Sequence, residues 1–474
     1  MSRSPFDFDQ WHSEYLQASS RQAHQLILTL LEQPLSVDWV EEMDLGMILV
    51  EMRDELASSN DFPAFLHFLD VIRDRHPEIY AAEYPYFDTF LVDYYLYRDE
   101  PEHLRQALSN FRHNPAIGVE PLFEVCEILC LYGANEIASE LCRATYEPIR
   151  KSSDVIRGAE DELSRVPLYV SLETAYCQQQ SGETVDWQAL EAELQPLGLS
   201  GKPQVLADLR RDLTAPLPRP DELSVEFQND LAQFLRRLAM AACCHLATHK
   251  QMSFLTTRAL WDALVEFLER RDVPPSKLRS PEAFFTFSED ELDRYLHQLV
   301  NAILSERSTT AVGLLWGIPY LYDFLHGIGV IATSTHQQVI AMTTNLKGVL
   351  SAFFAQSLWR FDFVHRWQPP DSIELATFQA EAARFRDTFE HTYPLSDEPA
   401  AERQERQLND WAASLDLPTS ERSPATARAA AQSPPVIPDP PPRLRTKSPS
   451  RKSHRLSSPP NSVRRRKSGV EVER

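Results

Sequence analysis

Six tyrosines fall within 18 residues: Tyr80, Tyr84, Tyr86, Tyr94, Tyr95 and Tyr97. Glu78, Glu83, Asp88, Asp93, Asp99, Glu100 and Glu102 surround them, with Arg98 as the opposing charge. Tyrosine gives a large contact area with a polar tip, and carboxylates beside it favour a basic partner. This pattern predicts a partner-binding surface carried by Tyr84, Asp88, Asp93, Tyr94 and Tyr97. The plainer alternative is that half of these rings are core and the acids a solvated face.

Two further constellations carry ligand-type side chains. Glu289, Asp293 and His297 are spaced i, i+4, i+8 and would share one helix face, which is how a metal-dependent helical-bundle enzyme could hold its ion. Ser288 with Glu291 also forms a capping box, and acids suit a first helical turn, so a helix start accounts for the same residues. Cys243, Cys244 and His245 are followed by His249 one turn later. A zinc site needs a fourth ligand and normally a separated cysteine pair. Neighbours Leu238, Ala239, Met240, Ala241, Ala242 and Leu246 mark a buried helix instead. No metal or cofactor is assigned.

The last constellation is at the C-terminal end. Arg443, Arg445 and Lys447 form one basic cluster, and Arg464, Arg465, Arg466 and Lys467 a second. Ser-Pro pairs occur at Ser423, Ser433, Ser448 and Ser458. From Pro418 onward there are 13 Lys and Arg against 4 Asp and Glu, or +9, which leaves −31 on residues 1–417. Arg464 to Lys467 are the expected contacts to phosphate or to an acidic partner. The stretch holds no Phe, Tyr or Trp, so nucleic-acid binding through it would be non-specific in sequence. Its composition, rich in Pro, Ser and Arg, predicts disorder.

The elements that position these residues are helices. Glycine is scarce, 13 in 474 residues, and GxGxxG, Walker-type and GxSxG motifs are all missing, which weighs against nucleotide-binding α/β enzymes. Apolar triplets spaced +4 and +3, each followed by proline, recur: Ala23, Ile27, Leu30 before Pro34; Phe65, Leu69, Ile72 before Pro77; Leu104, Leu108, Phe111 before Pro115; Ile137, Leu141, Ala144 before Pro148. Each triplet lies on one helix face, and each proline is expected to end its helix. The intervals of 42, 39 and 33 residues each hold one more helix and two turns, the mark of a helical solenoid.

With its turn glycine Gly133 and its closing Pro148, the segment Leu129 to Pro148 resembles the tetratricopeptide superfamily of helical repeats. The resemblance covers about a quarter of the chain. It implies stacked helical hairpins with a face that binds a peptide or protein, and it carries over no catalytic residue.

The expected fold is therefore all-α. An irregular helical-hairpin solenoid, TPR-like, occupies 1–215, a second all-helical region 221–395, and a charged linker with the basic tail 396–474. Single helices are expected at 37–58, 83–98, 222–248, 308–326 and 335–362, among others. The apolar stretch Thr309 to Ala332 is expected to be a buried helix, because Pro319, Asp323 and His326 fit a membrane span poorly. Six cysteines without a spaced framework, each in an apolar helical run, and a polar, acidic beginning predict buried free thiols in a reducing compartment: cytoplasmic, or nuclear in a eukaryote. The function expected is a non-enzymatic scaffold that binds a protein or peptide segment, modulated by its tail. The alternatives are a nucleic-acid-associated protein tethered by the tail and the metal-dependent enzyme.

Overall fold

A computed structural model describes residues 6–399 and 402, except 199–202, 216–218, 275–278, 302–306. The described residues are all-α, with no strand among them. Arg464 to Lys467, and with them the expected disordered tail, lie outside the described residues.

The first helices are α1 (Phe8–Gln17), α2 (Ser20–Leu31), α3 (Val37–Glu42), α4 (Leu45–Ser59), α5 (Phe62–Arg75) and α6 (Pro77–Arg98). Then come α7 (Pro101–Ala107), α8 (Ser109–His113), α9 (Val119–Leu131), α10 (Asn135–Lys151), α11 (Ala159–Gln180), α12 (Trp187–Leu194) and α13 (Pro203–Thr214). The second half contains α14 (Pro220–Asn229), α15 (Leu231–Lys250), α16 (Phe254–Arg270), α17 (Pro281–Phe285), α18 (Glu289–Val300) and α19 (Ser308–Gly327). It closes with α20 (Thr333–Phe353), α21 (Phe363–Arg366) and α22 (Leu375–Asp387).

Side-chain caps fix many of the starts. Asp61, Asp186, Asp230, Ser253 and Ser280 each accept from backbone N–H groups of the helix they precede. Ser288 and Glu291 form the expected capping box. Such caps satisfy donors that the first turn leaves open. They also explain where single expected helices divide. Asp230 caps a new helix inside 222–248, and Asp44, with φ 51°, breaks 37–58. Prolines behave in two ways. Pro77 starts α6 at a position where its missing N–H is harmless, whereas Pro85 and Pro148 lie inside α6 and α10. The expected stop at Pro148 is thus corrected: the helix runs on to Lys151. Helix α6 likewise begins six residues ahead of its expected start. The expected helix 335–362 ends at Phe353, and a 3-10 turn, Leu358–Phe361, follows.

The apolar triplets do face inward. Ala23, Ile27, Leu30, Phe65, Leu69, Ile72, Leu104, Leu108 and Phe111 are all buried. Ala144 is the exception. It is exposed, and Thr145 takes the interior position. Neighbouring helices pack in sequence, α4 on α5 and α6, α6 on α9, α9 on α10, and α10 on α11. Packing then leaves strict sequence order, because α9 also meets α16 and α19. Gly317 permits one of these approaches: a Cβ there would lie 2.7 Å from Leu260 of α16. Helix α19 is buried along most of its length, and no helix of the described residues is long and apolar enough to cross a membrane.

Candidate functional site

The tyrosine-rich run does not form the expected surface. Tyr84, Asp88 and Asp93 are 1%, 1% and 2% exposed. Tyr84 donates to the Asn114 carbonyl at 2.8 Å. Asp88 accepts from the Tyr80 hydroxyl and, at 2.8 Å, from Asn110 Nδ2. Burial pushes the Asp88 carboxyl up to about 6, against the pull of these two hydrogen bonds. Asp93 accepts from Arg360 Nε at 2.7 Å, and burial raises its pKa in spite of that arginine. Tyr94 and Tyr97 are half-buried, and Tyr97 stacks on Phe389 at 4.0 Å between ring centroids. The expected surface is thus corrected: Tyr84 and Asp88 are covered from nearby, at Asn110 and Asn114, while Asp93, Tyr94 and Tyr97 meet the C-terminal segment, which returns onto α6 as an internal seam. In that seam Trp359 is fully buried, meets Phe62, Phe90, Tyr97 and Phe389 edge-on, and donates Nε1–H to Asn60 at 2.9 Å.

A groove of about 740 Å³ opens instead beside Tyr86, which is 49% exposed and lies on its wall. Helix α9 contributes Glu120, Glu124 and Glu127 to the lining. Asp54 comes from α4, Glu162 from α11, and Asp262 with Glu266 from α16. Three arginines, Arg53, Arg307 and Arg360, share the lining with these seven carboxylates, and Arg165, Arg258 and Arg270 pair with Glu162, Asp262 and Glu266 from beside it. The spacing explains the convergence. Glu120, Glu124 and Glu127 are i, i+4, i+7, so one face of α9 presents all three, and Asp262 and Glu266 do the same on α16.

Electrostatics vary within the groove. Arg307 holds Glu266 with two bonds of 2.6 and 2.9 Å. Burial would raise the Glu266 pKa, but this arginine's hydrogen bonds and charge bring it below the usual value. Glu127 accepts from Thr310 at 2.9 Å and is raised by burial. Asp54, Glu120 and Glu162 are exposed at the groove. Cys126 and Cys142 place their sulfurs 3.6 Å apart in the lining. The contact with Cys126 and burial push the Cys142 thiol well up, and burial does the same to Cys130, so both stay protonated and poorly nucleophilic at neutral pH. The arrangement thus supplies acceptors and negative charge.

The other candidates stay apart from this groove. Glu289, Asp293 and His297 lie along α18, and the rings of His245 and His249 stand 4.5 Å apart, tilted, on α15 beside the buried Cys243; Cys177, expected to be buried, is exposed. Among the described residues no three His, Cys, Asp or Glu converge so as to hold a metal ion. Sequence reasoning passed over the groove acids because they are spread over four helices. The signal that would find them is the i, i+4, i+7 glutamate stripe of α9. Compared with known proteins, the chain matches no protein-family model, no curated protein and no solved structure.

Proposed function

We propose that the chain is a non-enzymatic interaction scaffold of TPR-like helical hairpins that takes a basic protein segment along the acidic groove. The observation that carries this reading is the glutamate stripe of α9 lining the same groove as Asp262 and Glu266 of α16. A groove in which one sign of charge predominates concentrates ligands of the other sign and speeds their association. The exposed ring of Tyr86 adds an apolar contact with a polar tip. The place of action that fits is the cytoplasm. The chain's own basic clusters, Arg443 to Lys447 and Arg464 to Lys467, have the charge such a groove accepts, and a tail that competes with the partner belongs to the same proposal.

The test is fluorescence anisotropy with a labelled peptide of residues 443–467, added to the full chain and to a chain ending at Leu417. The expected result is tighter binding to the shortened chain, and a loss of at least about tenfold on Glu120→Lys with Glu162→Lys. Equal binding by wild type and the double variant would remove the groove from the proposal. A second reading, non-specific nucleic-acid binding, draws on the same basic clusters. It requires duplex DNA binding to the full chain to fall steeply with salt and to vanish on deletion after Leu417.

A further inference from the structure

A second cleft, of about 510 Å³, lies between α20 and α22. Its walls include the small residues Gly348 and Ser351 of α20 and Ala376 and Ala380 of α22. Two buried side chains line it, Trp316 of α19 and Lys347 of α20. Lys347 Nζ stands 3.2 Å from a carboxylate oxygen of Glu381 and 5.3 Å from the centre of the Trp316 ring. Arg384, exposed, is the other charged residue of the lining.

The choice of lysine is informative. The chain has 39 arginines and 8 lysines. Of the lysines whose burial is described, Lys151 is exposed, Lys250 half-buried and Lys347 buried. An arginine would make the same ion pair to Glu381 but could never lose its proton, whereas a buried lysine can. Burial lowers the Lys347 pKa, with Glu381 opposing. A tie between α20 and α22 also needs no opening above it. Here small residues line a cleft beside the pair, and its volume falls within the roughly 300–1,000 Å³ of small-molecule sites.

We propose that this cleft binds a small aldehyde and that Lys347 captures it as an imine, with Glu381 carrying the protons. The neutral Nζ adds to the carbonyl carbon. Glu381 moves one proton from the new ammonium to the alkoxide, giving a carbinolamine. It then moves the remaining N–H proton to the hydroxyl, which leaves as water as the C=N bond forms. One aldehyde and one amine give one imine and one water, and Glu381 ends as it began. No oxidant or reductant takes part. Arg384, at the rim, favours an aldehyde that also carries a carboxylate.

The experiment treats the full chain with 4-formylbenzoate and cyanoborohydride, which fixes an imine as a stable amine, and reads each lysine by peptide mass spectrometry. Lys347 is expected to label at least about tenfold faster than exposed Lys151, with a rate that saturates in probe. Glu381→Gln is expected to slow Lys347 by about a hundredfold and to leave Lys151 unchanged, the unchanged Lys151 and the circular dichroism spectrum reporting an intact fold. A Lys347 rate no greater than that of Lys151, or one linear in probe, overturns the proposal without any variant. An undiminished Lys347 rate in the Glu381→Gln chain removes Glu381 from it.

Discussion

Asp88, Asp93 and Asp362 lie inside the molecule, while Asp54, Glu120 and Glu162 stand exposed at the groove. Inside the molecule each buried carboxylate is answered by a fixed donor: Asn110 for Asp88, Arg360 for Asp93, and Arg386, at 3.2 Å, for Asp362. At the groove Asp54 and Glu162 also have arginine partners, Arg53 and Arg165, but these carboxylates stand in solvent. The same residue type thus serves two ends. Desolvated and paired, it fixes packing, as Asp93 does where α6 meets the C-terminal segment. At the groove, solvated and paired at the surface, it leaves its charge in contact with water. Burying a charge is costly unless a partner answers it, so the seam tolerates little change, whereas a solvated face tolerates much.

That contrast can be broken or sharpened by mutation. The largest expected effect is Trp359→Ala, which empties the centre of the seam and strands the side-chain oxygen of Asn60. A loss of about 4 kcal/mol is expected in urea unfolding, and a loss under about 1 kcal/mol would show that the seam is not a structural centre. Asp93→Ala follows, because it leaves the Arg360 guanidinium without its buried acceptor. About 3 kcal/mol is expected by the same measurement.

The third prediction concerns pH. In the folded chain Asp88 keeps its proton up to about pH 6, against an ordinary value of 3.8. Folding therefore takes up a proton in that window. The contribution is fully present below 3.8 and is lost as pH rises through about 6. The stability difference between wild type and Asp88→Asn should change by about 2 kcal/mol between pH 4 and 7, to the disadvantage of wild type at the upper end. A difference that stays flat would place Asp88 in water. The smallest effect is expected in the groove. Glu120→Lys with Glu162→Lys should shift stability by no more than about 0.5 kcal/mol while binding of the basic peptide falls. A large loss of stability there would make the groove acids structural, like those of the seam.

Much of the all-α fold was legible in the sequence because helices announce themselves locally. The triplet Phe65, Leu69, Ile72 faces inward as its period requires, and Ser288 with Glu291 caps α18 as its spacing requires. Helix breaks were less legible. Asp44 and Asp230 end or start helices through backbone angle and capping, and neither interrupts the apolar pattern around it. The site was legible only in kind. A cluster of Tyr and Asp in one segment reads as a surface until something covers it: Asn110 and Asn114 meet Asp88 and Tyr84 from nearby, but Arg360 reaches Asp93 across 267 positions. The groove acids had the opposite difficulty. They meet in space but are scattered in sequence from Asp54 to Glu266, and local spacing registers only the stripe of α9.

Asn60 ends α4 with a left-handed turn, φ 53°, and its amide donates to the carbonyls of Gln356, Thr388 and His391. These bonds join positions 296, 328 and 331 residues apart in the chain. During synthesis, α4 and α6 emerge long before the segment that covers them. Until residue 391 has left the ribosome, Phe62, Phe90, Tyr94 and Tyr97 lack their neighbours among Trp359 and Phe389. The first half of the chain is thus born with an open aromatic face, and its final closure is a late event in biosynthesis, slow for the loop it must close and exposed to aggregation while it waits.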